Sequence, residues 1–197
     1  MRVLAVHYYA PPIQAVPAIR FHAILKNWSA RNPVYLMSSQ LVDQFPADPA
    51  LTLPNVPLYK IPTRDWRART NASQPYQKVA QKKAWWHRYL SAAYHAFPFI
   101  MFVGDGGRTY IREGVRKGSE LVEKEEITHL FSSYRPWADH LICYQLKQKY
   151  PHLVWIADFR DRAADPVRGD VWWPWLQGQF QRYVLRKADY VTVVSEG

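Results

Sequence analysis

The stretch that most constrains this chain is Leu153–Asp161, LVWIADFRD. Val154, Trp155, Ile156 and Ala157 form an unbroken apolar run, and a strand is apolar at successive positions when both of its faces are covered. Asp158, Arg160 and Asp161 follow at once. A charge without a partner does not enter a core, so the strand is expected to end at Ala157 and leave its charges at the edge of a sheet. In open parallel sheets ligands bind outside the carboxyl ends of the strands. A charged cluster in that position is therefore a site candidate. The plainer alternative is a salt-bridged turn, with Arg160 pairing to Asp158 or Asp161 to hold two loops.

Similar apolar runs recur along the chain. Arg2–His7 (RVLAVH), Val34–Met37 (VYLM), Leu58–Ile61 (LYKI, at an edge), Thr128–Ser132 (THLFS) and Tyr190–Val194 (YVTVV) read as further strands. Tyr8 to Pro12 breaks the first, because proline fixes its own φ and drives its predecessor out of the helical region. Ala18, Phe21, Leu25 and Trp28 then recur at helical spacing, as do Ile111, Val115, Gly118 and Val122. Trp137–Tyr150 and Val171–Ala188 predict two more helices, the second with Leu176, Phe180 and Val184 on one side. Leu41 to Pro57 is a proline-rich loop. Six strands mostly separated by helices predict an α/β fold, a Rossmann-like doubly wound and mostly parallel sheet flanked by helices. Residues 1–197 are expected to make one such domain.

The net charge of +10 favours anionic partners without choosing among nucleic acid, lipid and phosphorylated small molecules. Cys143 is the lone cysteine, which excludes an intramolecular disulfide and fits a reducing, cytoplasmic compartment. The N-terminus is already a strand pattern rather than a signal peptide, and no run approaches the roughly 20 apolar residues of a membrane span. The charge is uneven: Arg64 to Ile100 holds seven Lys and Arg against one acid, Asp65. Within it, Lys78, Lys82, Lys83, Trp85, Trp86 and Arg88 combine cations with tryptophans. That suits an anionic membrane surface, where tryptophan settles among headgroups, or bases stacked on aromatic rings. No nucleic-acid-binding signature accompanies it, so no specific nucleic acid is expected. The seven histidines are scattered and without cysteine partners, so no metal site is expected.

The loop after the first strand leads into a helix whose N-terminus offers free N–H groups and a positive dipole end to phosphate. Gln14, Ala15 and Ala18 stand where phosphate loops usually carry glycine. Neither GxGxxG nor GxxxxGK[ST] occurs, which disfavours a dinucleotide dehydrogenase and excludes a P-loop NTPase. His140, beside Asp139 in the first turns of the helix after strand four, faces the same sheet edge. A neutral histidine there could orient or deprotonate a hydroxyl; a solvated helix histidine is the alternative.

Four pieces, HYYAPPIQAVPAIRF, SSYRPWADHL, WIADFRD and VLRKADYVTVVSEG, occur in an order and spacing that resemble the N-terminal domain of a glycosyltransferase family four enzyme of the GT-B fold. The resemblance implies two Rossmann-like domains across a cleft and sugar transfer from a nucleotide-sugar to a glycan or lipid-linked acceptor. It implies retention of configuration and no bound metal or other cofactor. His140 would be the catalytic-site histidine near the transferred sugar. Asp158, Arg160 and Asp161 would shape the acceptor side, with Tyr9 and Arg20. Gln14, Ala15 and Val16 would form the donor-phosphate loop. The diphosphate- and nucleotide-binding residues of a second domain are absent from these 197 residues. This chain alone is therefore expected to be inactive, with the whole enzyme working at the inner face of a membrane in polysaccharide biosynthesis. The alternative is a non-enzymatic Rossmann-like module for a phosphorylated ligand or nucleic acid.

Overall fold

The computed structural model describes residues 1–64, 107–134, 136–159 and 173–194. Strands β1 (Val3–Val6), β2 (Val34–Ser39), β3 (Leu58–Ile61), β4 (His129–Tyr134), β5 (Val154–Phe159) and β6 (Tyr190–Val193) form one sheet. Their order is β3-β2-β1-β4-β5-β6, and every pairing is parallel. This is the doubly wound arrangement read from the sequence. From β1 the chain builds outward to β3, then returns to β4 on β1's other side and builds outward again. The strand order thus reverses between β1 and β4, the point where such sheets open a crevice at their carboxyl edge.

Among the described residues four helices cover the sheet: α1 (Val16–Ser29), α2 (Arg108–Lys124), α3 (Trp137–Lys149) and α4 (Pro174–Leu185). Successive strand residues point to opposite faces, and the core divides accordingly. Val3 and Ala5 pack with Phe21 and Leu25 of α1, whereas Leu4 and Val6 pack with Tyr110, Leu121 and Ile142 of α2 and α3. Both faces of β1 are therefore covered, which is why Val3–Val6 (VLAV) is apolar at every step.

Several strands run further than their apolar residues predict. β2 continues through Ser38 and Ser39, whose hydroxyls each donate to the Tyr8 carbonyl at 3.0 Å. β5 does not end at Ala157: Asp158 and Phe159 lie within it, Asp158 opposite Ser133 of β4 and Thr192 of β6. The expectation that charge halts this strand is corrected, because neighbouring hydroxyls and a distant arginine satisfy the carboxylate inside the sheet. The last helix runs over Pro174–Leu185, shorter than the stretch read for it, and buries Gln177 and Val184 while Leu176 is exposed. The 41–57 loop includes two 3₁₀ turns, Gln40–Gln44 and Pro49–Leu51. Arg160 and Asp161, and Lys78, Lys82, Lys83, Trp85, Trp86 and Arg88 of the basic segment, lie outside the described residues.

α2 and α3 approach closely because glycines face the contact. A Cβ on Gly114 would stand 2.4 Å from Ile142 Cδ1, and one on Gly118 2.7 Å from Leu146 Cδ1. Ile142 and Leu146 are fully buried and have little room to yield. Gly114→Val should therefore destabilise the fold by about 2 kcal/mol through overpacking. Gly178 of α4 has nothing within 4 Å of an added Cβ, so Gly178→Ala should stabilise by up to about 1 kcal/mol through helix propensity. Urea midpoints of the two variants, moving in opposite directions, check this.

Candidate functional site

The carboxyl edge around β1, β4 and β5 gathers most of the buried polar side chains. Alternation along β4 sends two adjacent serines to opposite faces. Ser133 turns with Phe131 toward α1, and Ser132 turns with Leu130 toward α3. Each anchors a different group.

On the α1 face the anchor is Asp158, 1% exposed. Arg20 of α1 grips it with two hydrogen bonds, Nη1 to Oδ2 at 2.5 Å and Nη2 to Oδ1 at 2.8 Å. Ser133 Oγ donates to Oδ2 and Thr192 Oγ1 to Oδ1, each at 2.8 Å. Burial by itself would raise the Asp158 pKa, but the hydrogen bonds from Arg20, Ser133 and Thr192 together outweigh it and hold the carboxyl below its ordinary value. The Arg20 side chain keeps 33% of its surface exposed, so the pair joins the sheet interior to the crevice. Asp158 is thus salt-bridged to Arg20 of α1, 138 residues away in sequence, whereas the Arg160 pairing expected for this cluster lies outside the described residues.

A second buried carboxylate, Asp139, was noticed in the sequence only as a neighbour of His140. It is the third residue of α3, where the helix dipole favours negative charge. It accepts from the Tyr8 backbone N–H and the Tyr110 hydroxyl, each at 2.9 Å, and His7 Nδ1 lies 3.4 Å away. Burial, then the adjacent Asp139 charge, pushes the Tyr110 phenol well above its ordinary pKa, so it remains a donor. Asp139 therefore ties the end of β1, the start of α2 and the start of α3 together. An acid in a first helical turn was the available signal; its partners come from distant segments and left none.

His140 sits one residue further along α3, on the face opposite Asp158. Its Nδ1 lies 2.7 Å from Ser132 Oγ, which also accepts the Trp155 indole N–H at 2.9 Å. The rings of Tyr134, Trp137, Trp155 and Phe159 surround it, Phe159 closest at 4.8 Å between centroids. Burial lowers its pKa to about 3, with the Asp158 carboxylate pulling upward and His7 pushing down. It is neither a solvated helix histidine nor open to the crevice, since its exposure is 0%. Among the described residues, its Nε2 and the Trp137 indole N–H are buried polar atoms without hydrogen-bond partners. Chemically, His140 is a neutral imidazole with one nitrogen engaged and the other uncommitted.

The first loop brings Gln14, Ala15 and Val16 to the N-terminus of α1. Gln14 donates its backbone N–H to Pro46 at 2.9 Å, and the loop is further pinned by Asp48 N–H to Pro12 at 2.8 Å. Ala15 occupies the N-cap without a side-chain hydrogen bond, Pro17 contributes no N–H, and Val16 is 72% exposed. Tyr9 is half-buried against Phe45 and Tyr8. The structure thus brings Arg20 and Asp158 into contact. It encloses His140 in a separate pocket and leaves the loop residues at a helix end. Among the described residues no group of three His, Cys, Asp or Glu side chains could hold a metal ion.

No protein-family model and no curated protein matches this chain. Among solved structures it is similar to the Streptomyces sp. SF2575 glycosyltransferase SsfS6, at 13% identity and a TM-score of 0.43. The match covers 81% of this chain, which spans only 39% of that one. Similarity at this level carries no inference about the reaction.

Asp158→Asn should cost about 2 kcal/mol at pH 7, the value of hydrogen bonds to a charged group, discounted because Arg20 is partly solvated. The folded-state pKa of Asp158 is depressed. Its contribution is therefore complete above the unfolded value of about 3.9 and is lost as pH falls through the folded value. Denaturation of native and variant should show a gap that narrows below that pH; a gap that widens there contradicts the assignment. For His140 the unfolded chain takes up a proton near pH 6.5 and the folded chain only near 3. Acidification across that window should remove up to about 1.4 kcal/mol per pH unit. Its ring NMR signals should stay unmoved from pH 8 to about 5, and a midpoint near 6.5 would overturn the enclosed, neutral assignment.

Proposed function

We propose that this chain is the acceptor-binding N-terminal half of a retaining, metal-independent glycosyltransferase that moves a sugar from a nucleotide-sugar to a glycan or lipid-linked acceptor. The observation that carries the reading is the Arg20–Asp158 fork at the carboxyl edge of a doubly wound sheet. A guanidinium clamped on a buried carboxylate keeps its position while ligands come and go, and such preorganisation lets a binding group act without first paying to be ordered. Three of the four family-like pieces of sequence include segments at the same edge: the first loop, the start of α3 and the end of β5.

In this reading Tyr9, Arg20 and Asp158, with Arg160 and Asp161, form the acceptor wall. Gln14, Ala15 and Val16 approach the donor diphosphate at the α1 N-terminus. His140, whose pKa near 3 keeps it neutral, offers Nε2 to a sugar hydroxyl once the rings around it part. A second α/β half holds the nucleotide. The basic segment from Arg64 to Ile100 holds the enzyme against anionic lipid at the inner face of the membrane. The enclosure of His140 favours one other reading, a binding module for a phosphorylated ligand or nucleic acid in which this histidine is purely structural.

Calorimetric titration of the 197 residues with UDP- and GDP-sugars should give no micromolar binding, and such binding would sink the acceptor-half assignment. Saturation-transfer NMR against a panel of free and lipid-linked oligosaccharides should find a ligand whose affinity falls tenfold or more in Arg20→Ala. A salt-sensitive shift with random oligonucleotides, and no oligosaccharide signal, would favour the binding module instead.

A further inference from the structure

The outer face of α4 carries a feature that the crevice does not use. The helix turns Gln177 and Val184 into the core, and the ring of Phe180 lies 5.1 Å from that of Trp137. On the opposite side, Trp175, Gln179, Arg182 and Arg186 follow one another at four-, three- and four-residue steps, the spacing of a single line along a helix. Trp175 is 75% exposed, with Leu176 and Tyr183 exposed beside it. The Arg186 guanidinium lies over the Tyr183 ring at 4.2 Å, so cation and aromatic ring are presented together. From Trp173 to Lys187 the chain has three cations, Arg182, Arg186 and Lys187, and no acid.

A large tryptophan surface left to water is unfavourable unless something covers it. We propose that the outer face of α4 lies on an anionic lipid surface. Trp175, Leu176 and Tyr183 would enter the headgroup layer, and Arg182 and Arg186 would pair with lipid phosphates. The charge decides the partner: an acid-free basic stripe is complementary to an anionic bilayer, and tryptophan beside arginine matches the interfacial pattern. The stripe lies along the outer face of one helix. Among the described residues no helix is long and apolar enough to cross a membrane. The inference rests on the reading that the protein works at a membrane and adds a specific face to it, distinct from the basic segment around Lys78–Arg88.

The test is co-sedimentation of the whole chain with phosphatidylcholine vesicles, with and without phosphatidylglycerol. The native chain should partition to the anionic vesicles, and Arg182→Gln with Arg186→Gln should weaken that by about fivefold per arginine removed. Trp175→Ser should weaken it further. These side chains are exposed, so thermal unfolding should stay at the native value and confirm that the variants fold. Cys143 is fully buried, so a polarity-sensitive dye can be placed selectively on Gln179→Cys; its emission should shift to the blue on anionic vesicles. If the native chain binds but the α4 variants bind equally and the dye does not shift, the α4 proposal falls while the membrane reading survives. If nothing binds, both fall. A concentration-dependent dimer lost in Trp175→Ser, without vesicle binding, would instead assign the face to a second copy of the chain.

Discussion

The carboxyl edge depends on two buried carboxylates that cannot be satisfied locally. An ionised group with almost no solvent contact is stable only when hydrogen bonds and opposite charge replace its water. Asp158 obtains an opposite charge from Arg20 of α1 and hydrogen bonds from β4 and β6, and Asp139 obtains hydrogen bonds from the end of β1 and the start of α2. Each carboxylate thus fixes the relative positions of segments 25 or more residues away in sequence. Remove either, and the loops that converge on the crevice lose their common reference.

The same edge separates two kinds of chemistry by strand alternation alone. Ser133 faces α1 and helps hold an ionised carboxylate with its arginine; Ser132 faces α3 and holds a neutral histidine among aromatic rings. Neighbouring residues on one strand therefore support a buried carboxylate whose arginine is partly solvated and an uncharged, enclosed imidazole. A ligand in the crevice would meet the charged side first. The histidine would join it only through movement of the Trp137 and Phe159 rings that flank it.

Much of the fold was legible because a parallel sheet imposes strong local patterns. Strands covered on both faces are apolar at successive positions, and helices that pack on one face repeat at three and four residues. RVLAVH and the Ala18–Trp28 stripe are direct products of those rules. The strand ends were less legible. Ser38, Ser39 and Asp158 look like loop residues until the partners that satisfy them are known, and those partners are Tyr8, Arg20, Ser133 and Thr192. The site showed the same division: Asp158 stood out as a charge after an apolar run, whereas His7, Asp139 and the two serines carried no local sign of their connections.

The amino-acid sequence by itself determined the layered α/β architecture, the strand and helix order and the concentration of unusual residues at the carboxyl edge. Periodicity and turn chemistry act over a few residues, and those are written directly in the chain. Only the tertiary structure decided which charges pair, which histidine nitrogen is engaged and how deeply His140 is enclosed. Those depend on contacts between segments far apart in sequence, and on the loss of water when they meet. For Leu153–Asp161 the result is specific: an apolar run that ends in charge became a strand that carries its carboxylate inside the sheet, because Arg20 reaches it from the other side of the fold.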